Sequence, residues 1–156
     1  MFTAPMPNRR PKKGLIDFAK EIDRARPQVP PPAESRLMTV EEQIKAIAVG
    51  DFEAALKQAD PDVEFEIFAP QGFPFIRRAK GIAGLRHAIE HNFNVVTDQQ
   101  PSLLNVVTQG NVVVIFGTER GRLKESGEAY HMEFVHRFTF AGNSLKSIRV
   151  IAAHKQ

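Results

Sequence analysis

The residues best placed to do chemistry in this 156-residue chain lie in the stretch YHMEFVHRFTF, Tyr130 to Phe140. Taking every second residue gives Tyr130, Met132, Phe134, His136, Phe138 and Phe140. A strand alternates its side chains between faces, so His136 is expected on the face that buries the phenylalanines. An imidazole there needs a hydrogen-bond partner, a ligand or a task. With an ordinary pKa of about 6.5 it can act as a general base or acid at neutral pH, and burial favours its neutral form. The plainer alternative is a core histidine bonded to a backbone carbonyl or to Tyr130. The chain has no cysteine, which excludes disulfides, thiolate metal sites and a cysteine nucleophile. His87 and His91 are four residues apart, as metal ligands on a helix would be, but they fall opposite the apolar stripe of their segment and no third ligand accompanies them. No metal and no other cofactor is expected.

The elements that must position these residues follow from periodicity. MTVEEQIKAIAVGD opens the body: Thr39 and Glu42 have the spacing of a capping box, Val40, Ile44 and Ile47 form an apolar stripe, and Gly50 ends the helix. Asp51 can cap a second helix in DFEAALKQA. DVEFEIFA alternates as a strand with one wet face, and PQGFPFIRRAKG reads as a loop. GIAGLRHAIEHNF carries Ile82, Leu85, Ile89 and Phe93 at helical spacing. From Pro101 onward SLLNVVTQ, VVVIFGTER, the YHMEFVHRFTF stretch and LKSIRVIAA, separated by turn signals, predict a four-strand antiparallel meander. Helices first and strands after give an α+β fold with the helices on one face of a strongly curved sheet.

Ahead of the body lies a proline-rich, basic segment. Seven of the eleven prolines fall at or before Pro32. Residues 1–36 hold eight basic and four acidic residues, whereas the remaining 120 hold 13 basic and 14 acidic. The net charge of +3 therefore resides in the tail, and nucleic-acid binding, which would place a basic patch on the folded body, is not expected. RPQVPPPAES reads as an extended linker marking a boundary at 36/37. Within the tail, residues 14–25 predict a short amphipathic helix with Leu15, Phe18, Ala19 and Ile22 on one side, able to dock on the body or on a second subunit. The longest apolar run, NVVVIFG, is far short of a membrane span and no signal sequence is recognised, so a cytoplasmic protein without membrane contact is expected.

Four passages together resemble the nuclear-transport-factor-2-like superfamily, more narrowly its SnoaL-like and ketosteroid-isomerase-like domains. They are the Gly50-Asp51-Phe52 break, DVEFEIFAPQG, GIAGLRHAI, and GEAYHMEFVHRFTFAGNSLKSIR. The resemblance runs from about residue 38 to about residue 153, and it implies a SnoaL-like domain over 37–156. Its fold would be a cone-shaped curved antiparallel sheet wrapped around three N-terminal helices, with an apolar pocket holding one or two polar groups. In a ketosteroid isomerase, a worked case among general catalytic patterns, an Asp base works with a Tyr and a protonated Asp that stabilise an enolate. At the matching positions this chain has Ala69 for the base, Gln43 for the tyrosine and His136 for the protonated acid.

The resemblance thus implies a small hydrophobic ligand enclosed by Met132, Phe134, Phe138, Phe116, Ile148 and Ala152, with His136 as the acid–base group and Gln43 and Tyr130 holding an oxygen. The activity would be that of an isomerase, cyclase or dehydratase; the alternative is a non-catalytic ligand-binding or dimerisation module of the same fold. Members often pair through the outer sheet surface, so a homodimer is expected, with Glu133 and Arg137 on that outer face. Glu119 and Arg120 are adjacent and only one can face inward; both registers of their strand are apolar, so either assignment stands.

Overall fold

The structure, a computed structural model, describes residues 11–29 and 31–155. The basic pair Arg9 and Arg10 lies outside the described residues. Helix α1 spans Lys13–Ala25 and a single 3-10 turn covers Arg26–Gln28. Helix α2 is Ala33–Ala48, α3 is the one-turn Phe52–Ala55, and α4 is Gly81–Asn94. The strands are β1 Ala59–Phe68, β2 Arg78–Lys80, β3 Val96–Gln109, β4 Val112–Leu123, β5 Ala129–Ala141 and β6 Ser144–His154. They form one sheet in the order β2-β1-β6-β5-β4-β3.

This is the expected α+β architecture of helices on a curved sheet, with three corrections of detail. The sheet is not wholly antiparallel, because β1 pairs with β6 in parallel. The three-residue strand β2 lies inside the segment read as a loop, pairing Glu64–Glu66 with Arg78–Lys80 at the sheet edge. Strand β3 begins at Val96 rather than after Pro101; a proline is tolerated there because β3 is the opposite edge, where a missing N–H costs no ladder bond.

The N-terminal region departs furthest from expectation. Helix α2 starts at Ala33, so the boundary expected at 36/37 falls inside it. Pro32 occupies its cap position and Glu34 its first turn, where a carboxylate complements the helix dipole. Thr39 is consequently a mid-helix residue whose hydroxyl donates to the Ser35 carbonyl at 3.2 Å, not a cap. Asp51 does cap α3, accepting from the Ala54 N–H. The described residues of the proline-rich stretch are also tied down rather than running as a linker. Arg26 meets Asp23 at 2.6 Å and the buried Glu41 at 2.9 Å, and Lys45 closes on Glu41 at 2.6 Å. A buried carboxylate needs such partners, because an unpaired charge in that position is strongly destabilising.

The helix predicted at 14–25 docks on the body. Leu15, Phe18, Ala19 and Ile22 are all buried, and Leu15, Phe18 and Ile22 belong to the main core with Leu37, Leu85, Ile115 and Phe140. The Lys12 N–H donates to the Ala48 carbonyl at 2.8 Å, Glu21 accepts from the Leu103 N–H at 3.1 Å, and Phe18 meets Phe134 edge-on. Gly14 explains the close seat: a Cβ there would overlap the Gln99 carbonyl. Among the described residues no helix is long and apolar enough to cross a membrane.

Candidate active site

The helices and the inner face of the sheet enclose a cavity of about 140 Å³. Its walls come from α1 (Leu15, Phe18), α2 (Ile44, Ile47), α4 (Ile89, Phe93) and the sheet, and they are overwhelmingly apolar. One water needs about 10–15 Å³ by such a measure, so the space suits a small ring system. Five polar side chains reach it: Gln43, Asn92, Gln99, Glu119 and His136.

His136 is placed by the period-two logic of β5. It pairs with Ile115 of β4 and Val150 of β6, so it shares the inner face with Phe134 and Phe138. The Phe134 ring lies 4.6 Å from the imidazole, centroid to centroid, and Phe138 6.2 Å. Burial without a compensating charge pushes its pKa down to about 4. Among the described residues no side chain or carbonyl hydrogen-bonds the ring, and its nitrogens are not sealed off, so they open onto the cavity. It is not the histidine bonded to Tyr130 that the sequence also allowed.

Tyr130 instead serves Glu119. Its hydroxyl donates to Glu119 Oε2 at 2.6 Å, and its ring packs edge-on against Phe73 in a satellite cluster, neither ring lining the cavity. The register settles the adjacent pair left open by sequence: Glu119 pairs with Met132 and faces inward, while Arg120 pairs with His131 on the other face. Gly121 lies opposite Tyr130, and a Cβ on it would overlap the phenol, so the glycine is what lets the hydroxyl reach Glu119. Gln99 Nε2 also donates to Glu119 Oε2, at 3.4 Å. Oε1 takes no bond among the described residues and remains open toward the cavity. Burial raises the Glu119 pKa, with Tyr130, Gln99 and Lys12 pulling the other way.

The remaining expectations divide cleanly. Gln43 reaches the cavity, but its amide N–H already donates to the Ala55 carbonyl at 3.2 Å. Met132, Phe134, Phe138, Ile148 and Ala152 line the wall. Phe116 does not: it pairs with Val135 on the outer face, one residue out of step with Ile115. At Ala69 no base is present, and its carbonyl accepts from Arg77 at 2.7 Å, an arginine that also bonds the Pro70 and Phe73 carbonyls and so fixes the loop after β1. His91 is occupied by the Pro74 carbonyl at 2.7 Å, and His87 is exposed.

Sequence reasoning missed Gln99 and Asn92 and left the facing of Glu119 open. Asn92 is fully engaged, with both amide atoms bonded to the Ile76 backbone. The signal for Glu119 was present: Gly117 and Gly121 flank it at the same parity, and glycines on one face of a strand leave room for large side chains from the neighbour, here Phe134 and Tyr130.

Comparison with known proteins agrees with this fold. The family model described as a SnoaL-like domain matches residues 40–148. No curated protein matches. Among solved structures, an NTF2-like protein from Burkholderia xenovorans is 22% identical with a TM-score of 0.65, covering 76% of this chain and 89% of that one. A putative SnoaL-like polyketide cyclase from a Jannaschia species is 18% identical with a TM-score of 0.65, over 80% and 89%. TerC, co-crystallised with polyporic acid, is 22% identical with a TM-score of 0.62, over 75% and 90%. At these identities the likeness concerns the fold.

Proposed function

The chain belongs to the SnoaL-like domain family, and from that premise we propose that it binds a small hydrophobic metabolite in the cavity and moves a proton on it, as an isomerase, cyclase or dehydratase. The observation that carries this reading is the pair of titratable groups open to a largely apolar cavity, His136 and Glu119 Oε1. They sit four residues apart in register along paired strands, about 13 Å at the usual rise per residue. A fitting ligand has an apolar middle lying along Phe134 and a polar group at each end. His136, neutral, takes a proton from a carbon at one end of the ligand, and the electron pair of the broken C–H bond moves through a conjugated middle onto the carbonyl oxygen at the other end. Glu119, pushed toward its protonated form by burial, faces that oxygen with Oε1 and donates to it. Tyr130 holds Glu119 in place and does not touch the ligand.

One observation favours a second reading. An imidazole whose pKa lies near 4 is neutral at physiological pH yet a poor proton acceptor, because general-base efficiency is best when the pKa lies near the working pH. In that reading His136 and Glu119 only hydrogen-bond a ligand, and the domain is a non-catalytic binding module.

Thermal unfolding against steroid-, terpenoid- and polyketide-like compounds, with polyporic acid included, tests the shared part of both readings. A ligand at 100 times its dissociation constant adds about 2.7 kcal/mol. We expect a compound that stabilises the wild type and loses that effect in His136→Phe; turnover of that compound then separates enzyme from binding module. Stabilisation of both proteins alike contradicts a role for His136.

The same reading includes a homodimer through the outer sheet face. Phe68, Ile151, Val135 and Phe116 form a continuous cross-strand row there, with Phe68 and Ile151 42% and 52% exposed. Arg137, Arg149 and Glu66 border it, and the Arg149 guanidinium lies over the Phe68 ring. An apolar row rimmed by charge is the composition of an interface core and its edge. Sedimentation at micromolar concentration is expected to show a dimer that Ile151→Asp converts to monomer. A monomeric wild type overturns this part.

A further inference from the structure

Helix α1 lies outside the segment matched by the family model, yet it walls the cavity with Leu15 and Phe18. Its entry also brings a cation. Lys12, just before α1, donates from Nζ to Gln99 Oε1 at 2.8 Å and to the Val96 carbonyl at 3.2 Å. Gln99 in turn donates to Glu119 Oε2, which also accepts from Tyr130.

The direction of this chain of bonds is set at one end. A lysine ammonium has only donors, so it must meet the oxygen of the Gln99 amide, and the NH2 is thereby turned to Glu119. Reversing the amide would put two oxygens together unless Glu119 carried a proton on Oε2, and Tyr130 would then compete for that atom. We propose that Lys12 is a positioning residue: by holding the Gln99 carbonyl it turns the Gln99 NH2 onto Glu119 Oε2, the oxygen that Tyr130 already engages, and leaves Oε1, the oxygen open to the cavity, as the one that carries and delivers the proton. Seating α1 therefore closes the cavity and sets the orientation of its acid in one event. This rests on the reading of Glu119 as a working group of the site.

The groups that face Glu119 are Lys12 from the start of α1, Gln99 from β3 and Tyr130 from β5. Arg120 and His131 leave on the opposite face, and His154 lies beyond Met132 against Phe73. The burial that raises the Glu119 pKa is partly offset by these three contacts, in the order Tyr130, Gln99, Lys12.

The chain supplies its own probe. Tyr130 is its single tyrosine and there is no tryptophan, so tyrosine emission reports this one phenol. A phenol donating to a carboxylate is quenched, and it recovers when the carboxylate protonates. Emission of the full chain is followed through the carboxylate titration in wild type, Lys12→Met, Lys12→Arg and Gln99→Leu, without ligand. We expect Lys12→Met to move the emission midpoint to higher pH and Lys12→Arg to return it toward the wild-type value. If Lys12→Met does not fold, Gln99→Leu decides, because it keeps the lysine's bond to Val96 and removes only the relay; the same upward shift is expected. A midpoint in the folded variant equal to that of the wild type overturns the proposal. Because no ligand is used, failure here is distinguishable from failure to find a substrate.

Discussion

Replacing His136 with phenylalanine is expected to remove a large share of the loss of stability between pH 6.5 and pH 4. The imidazole has its pKa lowered from 6.5 to about 4 by burial, so the folded state holds it neutral while the unfolded chain binds a proton. Where the unfolded state binds more protons, stability rises with pH. The contribution is therefore complete above pH 6.5 and is lost as pH falls toward the folded value. A shift of this size corresponds to about 3 kcal/mol. Glu119 has the opposite sign: its raised pKa favours the fold when protonated, and that contribution is lost as pH rises through the folded value. It is common to both proteins and cancels in their difference. Asp60 is held below its usual 3.8 by the Asp62 N–H and by Lys146, so its contribution is lost only at lower pH still. Urea unfolding at a series of pH values checks the prediction. Parallel pH profiles for wild type and variant would show that His136 is not desolvated.

Gly14→Ala should be severely destabilising, although helix propensity alone predicts the reverse. Alanine at an ordinary helical position gains about 1 kcal/mol over glycine. Here its Cβ would overlap a backbone carbonyl, that of Gln99, which cannot move aside as a side-chain tip could. Helix α1 would have to lift from β3, exposing Leu15, Phe18 and Ile22, which are at most 4% exposed in place. At about 1.5–3 kcal/mol for each large apolar side chain, the expected cost is roughly 5 kcal/mol. Equilibrium unfolding measures the cost, and hydrogen exchange in α1 shows whether the loss is local. A variant as stable as the wild type would mean that α1 is not seated on Gln99.

What the sequence could and could not reveal divides along the range of the interactions involved. His136 was legible because alternation is a local property of one strand, and Met132, Phe134 and Phe138 came with it. Glu119 was harder to read, since both registers of β4 are apolar and only the flanking Gly117 and Gly121 mark the face that the pairing with β5 gives it. Choosing wrongly at Phe116 is the same error by one residue. The helix at α1 was legible from its stripe, but its destination was not: the Arg26–Glu41 ion pair and the contact of Gly14 with Gln99 join residues of different elements that sequence spacing does not connect. Proline misled twice for one reason. It was read as breaking order, whereas Pro32 starts a helix and Pro101 sits on a sheet edge, positions where its missing N–H costs nothing. The parallel pairing of β1 with β6 joins the first long strand to the last and leaves no local trace.

The central claim is that one ligand engages His136 and Glu119 together, and it is tested most directly by magnetic resonance of the histidine and tyrosine rings. A compound that stabilises the protein is titrated into the full chain carrying labelled histidine and tyrosine. The predicted result is that the His136 signals and those of Tyr130, which answers through its bond to Glu119, shift along a single binding curve, while exposed His87 stays unmoved. Saturation of the protein with neither His136 nor Tyr130 responding, or with His87 responding in their place, would contradict the account.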